Sequence, residues 1–329
     1  MAVTIAEIQK LRSMTGAGMM DCKNALNEAA GDFDKAVELI RKRGKAIAAK
    51  RSDREASEGC VLAKAVDGFG AIVALKCETD FVAKNADFVA LTKLILDAAI
   101  DNRPANLDEL KNLVVAGHTI ADQVTNQSGI TGEKMELSDY AFLAAPKVDA
   151  YNHLGNKLST LVAATEADAK QEIVHGIAMQ VAAMNPIALD AEHVSADVLK
   201  RELEVAVEKT KQDEVNKAVE NAIRKAGINP AHADSDDHIE SNMSKGWLTP
   251  EQAETARQIR ATVPAEAAAN INEKKVEMIA QGRLQKFLKE STLVEQMYVM
   301  SEDKELVKDV LKKNNVVIAD FRRITLNEE

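Results

Sequence analysis

An α+β fold is predicted for this chain, and three observations carry the prediction. The apolar period is helical from Thr4 to Gly44, changes to strand-like between Cys60 and Cys77, and is helical again from Ser195 to Glu290. A hairpin followed by a helix can be read twice, which points to two related α+β subdomains. The chain has 329 residues, too many for one ordinary small domain, and 46% of them are hydrophobic but only 3% aromatic. Its cores must therefore rest on Ala, Val, Ile, Leu and Met.

The elements follow in order. Thr4 and Glu7 make a capping-box pattern, and Ile5, Ile8 and Leu11 form one apolar stripe. Gly16 and Gly18 interrupt this helix, and a second runs from Met19 to Ala30. After a turn at Gly31-Asp32 a third carries Phe33, Ala36, Val37 and Ile40 and is expected to end at Gly44. The basic stretch Arg41 to Arg54 that follows reads as a mobile, solvated linker.

Val61–Val66 and Ala71–Cys77 then read as a hairpin closed by Asp67-Gly68-Phe69-Gly70. In that register Val66 faces Ala71 and Cys60 faces Cys77, so a redox pair is conceivable beside the plainer reading of two small buried hydrophobes. A helix near Ala86 to Ala99 follows. Tyr140–Lys147 and Lys157–Thr165 suggest the second hairpin, and Asp168–Met184 the second helix, stopped by Pro186. Ser195 to Ala226 could form one helix about 48 Å long. A polar segment, Gly227 to Pro250, interrupts the pattern, and Pro264 should break or kink the returning arm, which ends with Ala265–Lys289. Leu293–Met300 and Val316–Leu326 read as strands around a short helix, Asp303–Asn314, a tail that could return to a core sheet.

Composition excludes several functions. Lysine and arginine number 42 against 52 aspartates and glutamates, a net charge of −10, which disfavours direct nucleic-acid binding. No run approaches the roughly 18 apolar residues of a membrane span, and no targeting segment precedes the first helix, so a cytoplasmic protein is expected. Three cysteines, Cys22, Cys60 and Cys77, without a CxxC spacing, suit a reducing compartment. The six histidines show no catalytic or HExxH spacing, and no GxxxxGK[ST] phosphate loop is present. A metal site at His232, Asp234, Asp236, Asp237 and His238 is less economical than a solvated helical tip, so neither catalytic groups, metal nor cofactor is expected.

The most informative stretch is Thr79-Asp80-Phe81-Val82-Ala83-Lys84-Asn85. Physically, Thr79 or Asp80 can cap the next helix, leaving Phe81 on its first turn, to pack inward or to project. The stretch also matches a family signature. Leu11-Arg12, Thr15–Lys23, Ala25-Leu26, Tyr151-x-His153, Leu161–Ala164, Ile177–Met179, Val181–Ala183 and Gln296-x-Tyr298-Val299 match further landmarks, in the family's order. Together they resemble the bacterial elongation factor Ts family. Many members have Gly-Gly-Arg-Ile-Gly after the Tyr-x-His element, whereas Gly155 here precedes Asn156, Lys157, Leu158 and Ser159.

The resemblance implies an N-terminal three-helix, ubiquitin-associated-like domain with the basic linker (1–54) and a core subdomain (55–138). It further implies a second core subdomain with a C-terminal module (139–199 and 287–329), and a helical coiled-coil insertion (200–286). It implies a guanine-nucleotide exchange factor, not an enzyme, that binds elongation factor Tu in its GDP-bound and nucleotide-free forms and promotes loss of GDP and Mg²⁺. Asp80 and Phe81 would reach into the GTPase domain, with Thr79 and Val82 shaping the loop; Met19, Met20, His153 and Gly155 would add contacts. A homodimer is left open.

Overall fold

In the computed structural model, which describes residues 3–326, Thr4 opens α1 (Ile5–Thr15) with the capping box its sequence predicts. Gly16 closes that helix in the left-handed region, where a Cβ is costly. Helices α2 (Met19–Glu28) and α3 (Phe33–Lys50) complete a three-helix unit around Ile8, Leu11, Cys22, Ala25, Leu26 and Ala36.

The third helix does not stop at Gly44. It continues to Lys50, so most of the expected linker is helical. Gly44 is interior because α3 crosses α7 (Ile120–Thr131) there: a Cβ built on Gly129 of α7 would stand 2.2 Å from the Gly44 Cα. Several of the basic residues in this stretch are paired. Arg43 meets Glu28, Lys45 meets Asp122, and Arg51 and Arg54 meet Glu78.

Strands β1 (Glu58–Val66) and β2 (Phe69–Cys77) form the first hairpin. Its loop is the two-residue Asp67-Gly68, in which only Gly68 takes a positive φ, at 73°, where a Cβ is costly. The register therefore differs from the expected one: Val66 faces Phe69, Cys60 faces Leu75 and Cys77 faces Glu58. The two cysteines are not opposite each other. Both are buried free thiols, and desolvation pushes them up to about 11 for Cys60 and about 12 for Cys77.

Next come α4 (Asp80–Ala83), α5 (Ala86–Asn102), α6 (Leu107–Asn112), the small ladder β3 (Val114–Val115) with β4 (His118–Thr119), and α7. The predicted strand Tyr140–Lys147 is split at Ala145-Pro146, where proline can donate no ladder hydrogen bond. Its first part belongs to β5 (Met135–Ala144), which pairs with β2 to give the sheet order β1-β2-β5. Its last residue opens β6 (Lys147–Asn152), which pairs with β7 (Leu158–Ala164). β5 thus runs through residue 139.

The first sheet is covered on both faces, which is why β1 and β2 read as nearly continuous apolar runs. Cys60, Leu62, Val73 and Leu75 face α5 and α7, while Val61, Ala63, Ile72 and Ala74 pack against Val148, Leu161 and Ala163 of the other sheet. The second sheet carries α8 (Gln171–Met184), which ends at Asn185 in the left-handed region, just before Pro186.

The long helix α9 (Ala196–Lys225), capped by Ser195, agrees with expectation. The segment after it is more structured than a polar tip. It holds α10 (Asp236–Ser244) and a small core of Ile223, Ile228, Ala233, Ile239, Leu248, Ala253 and Ala256. Within it His238 pairs with Asp234, and His232 stacks on Trp247. Pro264 sits inside α11 (Pro250–Ala269); it removes one donor but does not stop the helix. The break comes at Asn270 and Asn272, and the latter caps α12 (Glu273–Ser291). Both α11 and α12 pack on α9. Residues Asp190–Gln296 form one compact unit, and Met1–Leu189 with Met297–Glu329 form the other.

Leu293–Met300 is not a strand. It contains a short 3-10 turn and one bridge, Met297 to Leu306. Tyr298 lies against α8, over Gly176. After α13 (Val307–Asn314), β8 (Ile318–Thr325) pairs with β7 and returns the tail to the second sheet, as expected. No helix among the described residues is long and apolar enough to cross a membrane.

Candidate partner-binding surface

The turn after β2 is fixed from several sides. Thr79 is the N-cap of α4, and its hydroxyl accepts from the Val82 N–H at 3.4 Å. The same hydroxyl donates to Glu133 Oε1 at 2.6 Å, and the Thr79 N–H donates to Glu133 Oε2 at 3.0 Å. The Cys77 thiol donates to the Thr79 carbonyl. Val82 and Ala83 turn inward and pack against the first core. That leaves Asp80 and Phe81 on the outer side. The Phe81 ring is 83% exposed, so it projects. Asp80 forms an i,i+4 ion pair with Lys84 at 2.6 Å, and this hydrogen bond holds its carboxyl below the usual range.

Glu78, just before this turn, gathers the Lys134 N–H at 2.6 Å, Arg51 at 2.9 Å and Arg54 at 3.3 Å. Its carboxyl is held low: burial works to raise it, and those partners outweigh burial. Arg51 follows the last residue of α3, so this carboxylate ties the three-helix unit to the base of the turn. Met19 and Met20 belong to that unit, on the first turn of α2, with Met20 63% exposed.

The second candidate segment is the β6–β7 loop. His153 accepts or donates at Nδ1 to the Tyr151 hydroxyl at 2.9 Å, and Gly155 and Asn156 take positive φ to close the loop. Between them Leu154 is 94% exposed. The loop is held to β1: the Asn156 carbonyl accepts from Val61, and the Asn152 side chain bonds both backbone groups of Ala63. Lys157 pairs with Glu58 at 2.8 Å, and its ammonium also acts on Asp80. The structure therefore brings Thr79–Val82 and His153–Gly155 to one end of the two sheets. The part played by Glu133 and Glu78 is not readable from local sequence, because each meets residues far along the chain.

Comparison with known proteins gives a single answer. The profile of the family described as Elongation factor TS matches residues 78–328. The chain belongs to the elongation factor Ts family. It is 57% identical to Elongation factor Ts of Bacteroides fragilis and 58% identical to that of Phocaeicola vulgatus, each over the full length of both chains. Elongation factor Ts of Porphyromonas gingivalis is 43% identical, again across both whole chains. Membership in this family places the chain among translation elongation factors.

Proposed function

We propose that this elongation factor Ts family member is a guanine-nucleotide exchange factor for elongation factor Tu, binding its GDP-bound and nucleotide-free forms and performing no covalent chemistry. The observation that carries the reading is Phe81: a large apolar ring held in water on a braced turn, beside a carboxylate, in the segment by which the family is recognised. Thr79 and Val82 shape that turn, Asp80 and Phe81 enter the GTPase, and Met19, Met20, His153 and Gly155 supply secondary contacts. We read residues 1–54 as ubiquitin-associated-like and 200–286 as a coiled-coil insertion of the same protein.

The energetics are reasonable. Nucleotide and exchange factor binding are linked, so a protein that favours the empty GTPase weakens nucleotide by the same factor. A thousandfold acceleration needs about 4 kcal/mol. Burying one phenylalanine ring supplies roughly 1.5–3 kcal/mol, so Phe81 can provide a large share and other contacts the remainder. In stopped-flow release of fluorescent GDP from the cognate elongation factor Tu, the parent should accelerate release and Phe81→Ala should be about fivefold to thirtyfold slower. Release no faster than the spontaneous rate with the parent chain would refute the exchange function. Parent-like release with Phe81→Ala would remove that ring from it.

A further inference from the structure

Two helices in this chain begin with the same chemistry solved in different ways. In α1 the N-cap is Thr4 and the residue three later is Glu7; the Glu7 carboxylate takes the Thr4 N–H at 2.8 Å and the Thr4 hydroxyl at 2.7 Å. That is the capping box, closed within four residues. In α4 the N-cap is Thr79 and the residue three later is Val82. Val82 packs on the core, so that position cannot carry a carboxylate. Yet the Thr79 N–H and hydroxyl find the same two bonds, at 3.0 and 2.6 Å, from Glu133.

We infer that Glu133 closes the capping box of α4 from a distant element and is the positioning residue that aims Asp80 and Phe81 outward. The inference rests on the proposed exchange function of that turn. Its physical motive is the length of α4. A helix of four residues does not repay its nucleation cost, so it holds its shape only where something outside it fixes the first turn. Glu133 is itself immobilised. It follows Gly132, the left-handed C-cap of α7; its N–H donates to Thr131, and its carbonyl accepts from the Ser128 hydroxyl at 2.5 Å. The orientation of the Phe81 turn is thus set by the end of α7, fifty-four residues beyond Thr79.

The test separates positioning from mere stability. Maximal GDP-release rate, the concentration of exchange factor giving half that rate, and Tm are measured for the parent, Glu133→Ala, Phe81→Ala and the double variant. Glu133→Ala should lower the maximal rate about fivefold to tenfold, the scale of one lost cap, while the half-saturating concentration changes less than about threefold. In the Phe81→Ala background the same change should cost less than about twofold, because there is no ring left to aim. Thr79→Val, which deletes only the hydroxyl, should reproduce part of the loss, and Thr79→Ser should restore it. If Glu133→Ala does not fold, Glu133→Asp is measured in its place: it keeps the charge but shortens the reach by one methylene, so it should lower the maximal rate in the same direction, and a parent-like rate there would overturn the positioning role. A lowered Tm with an unchanged maximal rate, or fully additive losses in the double variant, would overturn the positioning role while leaving the exchange function intact. A parent-like Phe81→Ala would remove the ring, and with it the aiming role of Glu133, from exchange, whereas a parent no faster than spontaneous release would overturn the exchange function itself.

Discussion

A phenylalanine ring left in water forgoes roughly 1.5–3 kcal/mol of burial, and the turn that carries Phe81 spends three of its residues on keeping that ring out. Because the ring contributes nothing to the core, Phe81→Ala should melt within a few degrees of the parent, unlike a core Phe→Ala change, which costs about 3–5 kcal/mol. A strongly lowered Tm would show the ring to be packed. Glu78 behaves differently, since its charge is used inside the protein. Its folded-state carboxyl is depressed, so its contribution is complete above the unfolded carboxylate value, about pH 4.3, and is lost as pH falls through the lower folded value. Glu78→Gln should therefore lower Tm at neutral pH, and the gap to the parent should close on acidification below about pH 4. A gap that stays constant with pH would mean that the ion pairs to Arg51 and Arg54 do not carry the effect.

At the scale of elements, the crossing of α3 and α7 decides whether the basic stretch is a linker or a helix. Gly129 in the interior of α7 costs about 1 kcal/mol of helix propensity relative to alanine. Gly129→Ala would recover that, but its Cβ would lie 2.2 Å from the backbone of Gly44, a contact no side-chain rotation relieves. The clash outweighs the propensity gain. The variant should lose the close crossing, and trypsin should then cut between Arg41 and Lys50 well before it cuts the core, whereas the parent resists there. Equal cleavage of both proteins would show that the crossing does not hold α3.

At the scale of the molecule, each of the two compact units has its own core, which makes the helical unit separable. Helices α9 and α12 are joined midway along α9 by Asp213–Arg283 and Lys211–Glu273, and the small core around Ile239 lies further along the chain. Replacing residues 215–267 by a short Gly-Ser loop should leave a folded protein that still accelerates GDP release to within about threefold of the parent, since the Phe81 turn is in the other unit. A folded, soluble variant without exchange would place an essential contact in the removed segment.

Local chemistry by itself determined a good deal here. The capping box at Thr4 and Glu7, the left-handed glycine after α1, the length of α9 and the end of α8 before Pro186 all depend on neighbours within four residues, so the sequence declares them. The segment Thr79–Asn85 was likewise legible as a capped turn with an aromatic on it. Whether Phe81 packs or projects was not, because that depends on which side of the turn the core takes up, and Val82 and Ala83 occupy it. Gly44 and Pro264 both carry stop signals that the fold overrides, one through a close helix crossing and one in a partly exposed helix that tolerates a missing donor. The cysteine register turned on a loop two residues shorter than the four-residue closure expected. The brace on Thr79 lay beyond local reading altogether. Its donor and acceptor are half a hundred residues apart, and only the packing of α7 against the first sheet brings the carboxylate to the turn.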